Sequence, residues 1–344
     1  MEKVVSALEK RRIEYIDIAK AIAIFLVLIG HTVDSDTICK NVLYSFHMPV
    51  FFLLSGMVIY REENDGIKPT WIPSLQKKFF KLLIPYMIWG CIYAEFSFKN
   101  LMFITYGTRE TLIAANSLTS LWFIPVFFLA SVIVEGFVNF SMNVRKNIQL
   151  LTAIVGVCFV IVGYMLPHWV KYGDIWGIDI AFMAAAFMLF GHLIRPLTDV
   201  LEREKLLYTG VLLGISLIVF CIGIQYSTTS VGYVLMANAI YGNLVVFLLN
   251  ALTGSLIVIL FAIIISRLYF DKKHIYYIGQ NTLGVFIVHK PFIEFGRTII
   301  TKMGMNYNHI LIALGNSIVC LTLSCIAVKV LSIFVPAILG KERR

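Results

Sequence analysis

The chain has 344 residues, of which 59% are hydrophobic and 14% are charged, with a formal net charge of +9 at pH 7. A soluble domain usually has about 45–50% apolar and about 25% charged residues, so this composition excludes a soluble globular protein and indicates one that crosses a membrane repeatedly. The basic residues lie in short segments between apolar runs rather than on a face with interleaved aromatic residues, so we expect topology determinants and no nucleic-acid partner.

The first apolar segment, Ile16 to Val33, follows twelve polar and basic residues. No small-residue cleavage site follows a short apolar core, so we interpret this segment as a retained membrane span and not as a signal peptide. We expect a single integral membrane domain over 1–344, with cytoplasmic tails at 1–12 and 337–344.

A membrane-spanning helix needs about 20 largely apolar residues. By this criterion the predicted fold is all-α and polytopic, with about ten transmembrane helices, at 15–33, 42–60, 79–97, 119–140, 148–166, 175–194, 207–225, 245–268, 276–296 and 308–336. Segment 226–245 is too polar for a confident span, and it is interpreted either as an external loop or as a re-entrant piece.

The distribution of positive charge supports this count. With the N-terminus in the cytoplasm, 20 Lys and Arg residues fall in inner segments and 7 in outer segments. Cytoplasmic loops carry an excess of these residues in multi-pass proteins, so both termini are predicted to be cytoplasmic. The expected location is the plasma or inner membrane.

The stretch Tyr15 to Gly56 contains two apolar helices with ionisable residues inside them: Asp17, Lys20, His31 and His47. A charge within hydrocarbon costs at least a few kcal/mol, so such residues are functional candidates by default. Lys20 and His31 are eleven residues apart, roughly 16 Å along a helix axis. The predicted topology therefore places Lys20 toward the cytoplasm and His31 in the outer third of the bilayer.

His47 and His289 are predicted to lie at the same depth as His31, each on a different span. An imidazole can accept a proton from a hydroxyl group near pH 7 and return it, as a general base does. The alternative for each residue is a buried imidazole that is hydrogen-bonded to a backbone carbonyl.

Three lysines, Lys77, Lys78 and Lys81, begin the third span on the same side as Lys20. Together they are candidates to hold phosphate groups. Alternatively, they only anchor the span, and Lys20 forms a local ion pair with Asp17, three residues earlier on the same helix face.

Two further side chains have open roles. Trp122 is predicted at the outer interface, either as a member of the aromatic belt or as a stacking face for a sugar. Glu135 lies deep in the fourth span, where it needs a partner that the sequence does not name. The six cysteines form no CxxC motif and no Cys/His metal spacing, so neither a metal site nor a disulfide framework is predicted.

Five segments together resemble the acyltransferase 3 family of integral membrane acyltransferases, and within it the fucose-acetylase-like sugar O-acetyltransferases. They are YIDIAKAIAIFLVLIGH (15–31), LYSFHMPVFFLLSG (43–56), KKFFKLLIPYMIWG (77–90), SLWFIPVFFLASVIVE (120–135) and YYIGQNTLGVFIVHKPF (276–292). They occur in the family's order. Lys20 stands where the family often has arginine, so the charge is kept but the bidentate fork is not.

The resemblance implies an enzyme that moves an acetyl or other short acyl group from cytoplasmic acyl-CoA to a hydroxyl of an extracytoplasmic or lipid-linked sugar. His31 matches the family's proposed catalytic histidine, and we add His47 as a candidate partner. Acyl-CoA is expected to bind at Lys20, Asp17, Lys77, Lys78 and Lys81, as a co-substrate, with no bound cofactor. The acceptor is expected to bind at Trp122, His289 and Asn281.

The competing hypothesis is a transporter or flippase of a small metabolite on the same fold. Ionisable groups at the midplane and in the outer third are also typical of proton-coupled carriers. Against it, the sequence shows no inverted repeat. Direct transfer and a covalent acyl-His31 intermediate both remain open, as do the oligomeric state, the acyl chain length and the acceptor.

Overall fold

A computed structural model describes residues 13–33, 38–64, 71–114, 120–141, 147–170, 174–227, 229, 232–306 and 309–341. These residues are mostly α-helical and form no β-strand. The α-helices are α1 (Glu14–Thr32), α2 (Ile38–Tyr44), α3 (Pro49–Asn64), α4 (Trp71–Lys78), α5 (Ile84–Tyr93), α6 (Phe98–Tyr106), α7 (Arg109–Ala114), α8 (Phe123–Ser141), α9 (Ile148–Trp169), α10 (Ile178–Arg203), α11 (Leu206–Gln225), α12 (Leu244–Ser266), α13 (Lys273–Gln280), α14 (Thr282–Lys302) and α15 (Ile310–Phe334). The predicted all-α architecture is confirmed.

Within the described ranges, eight stretches are long and apolar enough to cross a membrane, as expected of a polytopic membrane protein. They are Glu14–Thr32, Ile38–Ile59, Ser120–Ser141, Ile148–Trp169, Ile175–Arg203, Leu206–Gln225, Leu244–Ser266 and Ile310–Phe334. The other two predicted spans are also helical. The span at 79–97 is divided between the π-helical turn Phe79–Leu83 and α5, and the span at 276–296 is divided between α13 and α14. The count of ten and the cytoplasmic termini stay predictions, and residues 1–12 of the predicted N-terminal tail lie outside the described ranges.

Helix α1 is enclosed by the rest of the bundle. It packs against α3, α12, α13, α14 and α15. Its side chains are apolar on nearly every face, and Ile18, Ala23 and Val27 are fully buried. A helix that is apolar all round is expected in the interior, which fits the central position of this segment.

Helices α9, α11 and α15 form the periphery of the bundle. They leave large apolar side chains exposed, among them Val157, Ile218 and Ile318. Such exposure would be costly in water, but it is what a helix facing hydrocarbon requires. The apolar surface of these three helices is therefore the expected contact with lipid.

Helices α3 and α10 cross at two glycines. A Cβ atom at Gly56 would lie 1.7 Å from the carbonyl oxygen of Met188, and one at Gly191 would lie 1.9 Å from the carbonyl oxygen of Leu53. Small residues allow such close backbone approach between membrane helices. The crossing therefore holds α3 and α10 at a distance that no larger side chain permits.

We expect Gly56→Ala to lower the thermal stability of the protein in detergent, because the backbone of α10 must move to admit the methyl group. Overpacking of this kind costs about 1–3 kcal/mol. Gly214→Ala is the matched control, since a Cβ atom at Gly214 on α11 would meet no atom within 4 Å. Equal melting temperatures for the two variants would contradict the close crossing.

A buried ion pair joins three connections at one end of the bundle. Nε of Arg109, the first residue of α7, lies 2.8 Å from the carboxylate of Asp179, which is fully buried near the start of α10. Arg109 Nη1 donates to the carbonyl of Asn238 at 2.8 Å, and Nη2 donates to the carbonyl of Val170 at 2.9 Å. One guanidinium thus links the start of α7 to the start of α10, to the connection after α9 and to the segment before α12.

Candidate active site

A cavity of about 420 Å³ opens at the end of α1 that carries His31. We call it the histidine cavity. Its described lining residues are His31, Lys40, Tyr44, His47, Met48, Ser120, Trp122, Tyr233, Leu235, Met236, Ala237, Phe286, His289, Lys290, Ile293 and Glu294. The structure thus brings His31, His47, His289 and Trp122 to one site from four different parts of the chain.

The imidazole rings in this cavity are close neighbours. The ring centroids of His31 and His289 are 5.2 Å apart, and those of Tyr44 and His47 are 4.5 Å apart. The Tyr44 ring also lies 6.5 Å from that of His31, so it bridges the two histidines of the first two spans. His31 is half-buried, whereas His47 and His289 are 4% and 1% exposed. His31 is therefore the most accessible of the three imidazoles.

Backbone carbonyls fix the tautomers of two of these histidines. Nδ1 of His47 lies 2.8 Å from the carbonyl oxygen of Leu43, and Nδ1 of His289 lies 2.5 Å from that of Phe286. A carbonyl oxygen can only accept, so each Nδ1 carries the proton and Nε2 of the neutral ring keeps a lone pair. The sequence left two alternatives for each histidine, a hydrogen bond to a backbone carbonyl or a role as a general base. One ring can do both, because Nδ1 makes the hydrogen bond and Nε2 stays basic.

Two tyrosines and a lysine in the histidine cavity were not identified from the sequence. Lys40 Nζ lies 5.1 Å from the ring centroid of Tyr44 and 5.1 Å from that of Tyr233. Cation–π contacts of this kind orient a lysine within a pocket. Tyr233 belongs to the polar segment 226–245. Its described part before α12 begins at Leu244 is a loop with one short 3-10 helix, Met236–Asn238. The only sequence signal for Tyr233 was that this segment is too polar to be a span.

A second cavity, of about 400 Å³, lies toward the Lys20 end of α1. We call it the lysine cavity. Its described lining residues are Lys20, Ile24, Phe51, Ser55, Val58, Ile59, Lys78, Lys81, Leu82, Phe123, Ile124, Phe127, Glu135, Gly279, Gln280, Thr282, Leu283 and Phe286. Three of the four lysines proposed from the sequence meet here, on a mostly apolar cavity. Lys77 is exposed and is not among the lining residues.

Asp17 lies at the edge of the lysine cavity. Its carboxylate accepts a hydrogen bond from Gln280 Nε2 at 3.2 Å. Gln280 ends α13, which crosses α1 so closely that a Cβ atom at Gly279 would lie 1.9 Å from the carbonyl oxygen of Asp17. Asp17 thus joins α1 to the helix that walls this cavity.

The structure identifies the partners of Glu135. Its carboxylate, 5% exposed, forms an ion pair with Lys78 and accepts hydrogen bonds from the Ser74 hydroxyl at 2.9 and 3.1 Å. A buried carboxylate is expected to be paired in this way. Lys78 is therefore engaged by Glu135 within the lining of the lysine cavity.

Asn281 does not reach the histidine cavity. It lies between α13 and α14, next to the lysine-cavity residues Gln280 and Thr282. Its Nδ2 donates to the carbonyl of Tyr277 at 2.8 Å, and its Oδ1 accepts from Lys341 Nζ at 2.5 Å. These bonds hold the C-terminal segment against the bundle, and Asn281 is not among the described residues that line the histidine cavity with His289 and Trp122.

The helices and the two cavities define a multi-pass membrane protein with a polar site enclosed by its bundle. A family model described as an acyltransferase domain matches residues 13–329, and the chain belongs to this family, acyltransferase 3. No curated protein and no solved structure gives a significant match to the chain. The resemblance drawn from the five motifs is confirmed at the level of the family, and the protein is a membrane acyltransferase. The sugar O-acetylase branch stays a prediction.

Proposed function

We propose that this protein transfers an acetyl or other short acyl group from cytoplasmic acyl-CoA to a hydroxyl of an extracytoplasmic or lipid-linked sugar in the cell-envelope membrane. The observation that carries the proposal is the placement of the two cavities. Lys20, Lys78 and Lys81 line one cavity. Three histidines line the other, together with Lys40 and Lys290, and the two cavities lie at opposite ends of the same helix. In the predicted orientation, the lysine cavity faces the compartment that supplies acyl-CoA and the histidine cavity faces the acceptor.

The lysine cavity has the chemistry of the donor. Lys20 and Lys81 supply positive charge for the phosphates of CoA. The apolar lining beyond them, including Ile24 and Leu283, suits the pantetheine arm and the acyl group. Lys20 and His31 are separated by roughly 16 Å along α1, so the arm must extend through the bundle to bring the thioester to the histidine cavity.

The histidine cavity has the chemistry of the acceptor. Trp122, Tyr44 and Tyr233 offer faces on which a sugar ring can stack. His31 then removes the proton of the sugar hydroxyl as its oxygen attacks the thioester carbonyl. The C–S bond breaks, an ester bond forms, and the proton passes to the departing CoA thiolate. Positioning of the two substrates and this proton transfer are the main contributions expected of the protein.

The proposal is tested with purified protein in vesicles, acetyl-CoA labelled in the acetyl group, and a glycan and glycolipid extract of the membranes in which the protein occurs. We expect label in an alkali-sensitive ester of the glycan fraction. Uptake of a small metabolite by vesicles that lack acyl-CoA, without any acetyl ester, would instead favour the transporter alternative. Comparison of envelope glycans from cells with and without the protein would then identify the acceptor.

Lys20→Ala is expected to raise KM for acetyl-CoA by about tenfold or more, because a hydrogen bond to a charged group contributes about 1.5–3 kcal/mol. The turnover number should change less, since Lys20 lies far from His31. Steady-state kinetics with varied acetyl-CoA measures both constants. Lys20→Arg should retain the wild-type KM, and Lys77→Ala is the control because Lys77 is exposed outside the cavity lining. An unchanged KM in Lys20→Ala would remove this residue from the donor site.

A further inference from the structure

A single phenylalanine lines both cavities. Among the described lining residues, Phe286 is the one shared by the histidine cavity and the lysine cavity. It lies on α14, three residues before His289, so both side chains occupy the same helix face. The Phe286 side chain is 5% exposed, and its ring centroid lies 5.7 Å from that of His289.

Phe286 is part of an aromatic layer across the bundle. Its ring centroid is 5.2 Å from that of Phe123 on α8. Phe123 in turn lies 5.1 Å from Phe52 and 5.9 Å from Phe51, both on α3. Phe123 and Phe51 line the lysine cavity only, whereas Phe286 reaches both sides. The layer is apolar, so it restricts the passage of water as well as that of a substrate.

The position of Phe286 matters because the reaction must cross this layer. On the proposed function, the thioester begins in the lysine cavity and must reach His31 in the histidine cavity. A ring with a cavity on each side can change its side-chain rotamer with less disturbance than one packed on all sides. Phe286 is thus the member of the layer best placed to move when the pantetheine arm passes.

We propose that Phe286 determines whether the thioester reacts with the sugar or with water. This inference rests on the proposed function. With the ring in place, the thioester is kept apart from His31 and from water in the histidine cavity. Without the ring the two cavities join, and His31 can deprotonate water instead of a sugar hydroxyl. The water oxygen then forms a bond to the acetyl carbon, the C–S bond breaks, and the products are acetate, a proton and the free thiol of CoA.

The test is the rate of CoA thiol release from acetyl-CoA in the absence of any acceptor, measured with a thiol reagent for purified wild type, Phe286→Leu, Phe286→Val and Phe286→Ala. We expect hydrolysis to rise as the side chain becomes smaller, by about fivefold or more in Phe286→Ala. Size-exclusion chromatography and thermal unfolding report whether each variant is folded. The graded series keeps the test valid if the alanine variant unfolds.

Two controls isolate the barrier. Phe187 on α10 is fully buried and lines neither cavity, so Phe187→Ala removes a buried ring without touching the donor or the acceptor site. It should leave hydrolysis at the wild-type rate. The double variant Phe286→Ala/His31→Ala should lose the gain, because His31 is required to activate water.

The outcomes separate this inference from the proposed function. If every Phe286 variant hydrolyses acetyl-CoA at the wild-type rate while acetyl transfer to glycan is intact, Phe286 is not a barrier. The acyltransferase proposal then still stands. An equal rise in Phe187→Ala would also overturn the barrier, since the loss of any buried ring would then suffice. If the wild-type protein neither transfers the acetyl group nor binds acetyl-CoA, the proposed function itself is contradicted.

Discussion

Replacing His31 by alanine is expected to reduce acetyl transfer by about 10²–10⁴-fold, the usual contribution of a positioned general base. His31 is the half-buried imidazole of the histidine cavity and lies on the helix that also carries Lys20. Loss of its side chain removes the base but leaves the lysine cavity intact. The turnover number should therefore fall while the affinity for acetyl-CoA changes little. Label transfer from acetyl-CoA and equilibrium binding of acetyl-CoA measure the two quantities separately.

A histidine outside both cavities provides the control for this variant. His192 on α10 is 6% exposed and lines neither cavity. His192→Ala removes an imidazole that is more buried than His31, so it reports the cost of such a substitution to folding. We expect it to retain transfer activity. If folded His31→Ala protein transfers the acetyl group at the wild-type rate, His31 is excluded as the base.

The same variant separates direct transfer from a covalent mechanism. If His31 carries the acetyl group, brief incubation of wild-type protein with labelled acetyl-CoA before acceptor is added should leave label on the protein, and His31→Ala should leave none. If transfer is direct, both proteins should remain unlabelled after gel filtration. His289 is the next residue to test, because its ring lies 5.2 Å from that of His31.

The relation between Lys20 and His31 could be predicted from the sequence because both lie on one helix. The rise per residue of an α-helix is fixed, so eleven residues define a separation without any knowledge of packing. The shared depth of His31, His47 and His289 followed from alternating span directions. The structure places all three around one cavity, at the same end of α1.

Contacts between distant parts of the chain could not be predicted in this way. Tyr233 reaches the histidine cavity from a loop, and loops lack the periodicity that reveals a buried face. Glu135 required a partner, but Lys78 was a candidate phosphate ligand or span anchor in the sequence, because no pattern there shows that α4 packs against α8. Asn281 lies just after α13 and accepts a hydrogen bond from Lys341, a contact across 60 residues of sequence that no local pattern reveals.

Replacing Arg109 by alanine is expected to destabilise the protein by about 3–5 kcal/mol, the usual cost of removing one partner of a buried ion pair. Asp179 is fully buried and would lose the cation beside it. The same substitution removes the hydrogen bonds to the carbonyls of Val170 and Asn238. Because Asn238 directly follows Ala237 of the histidine-cavity lining, we also expect a higher KM for the acceptor. Thermal unfolding in detergent and acceptor kinetics measure the two effects.

Two further variants test this prediction: one breaks an exposed ion pair, and the other removes both charges of the buried pair. Lys273 and Asp271 form a pair whose side chains are 73% and 61% exposed, so Asp271→Ala should leave the melting temperature unchanged. Arg109→Met/Asp179→Leu removes both buried charges, and it should be more stable than Arg109→Ala, because most of the cost of the single change is the carboxylate left unpaired. If the double variant is no more stable than Arg109→Ala, the hydrogen bonds of Arg109 to the connecting segments, and not the charge of Asp179, hold this end of the bundle together.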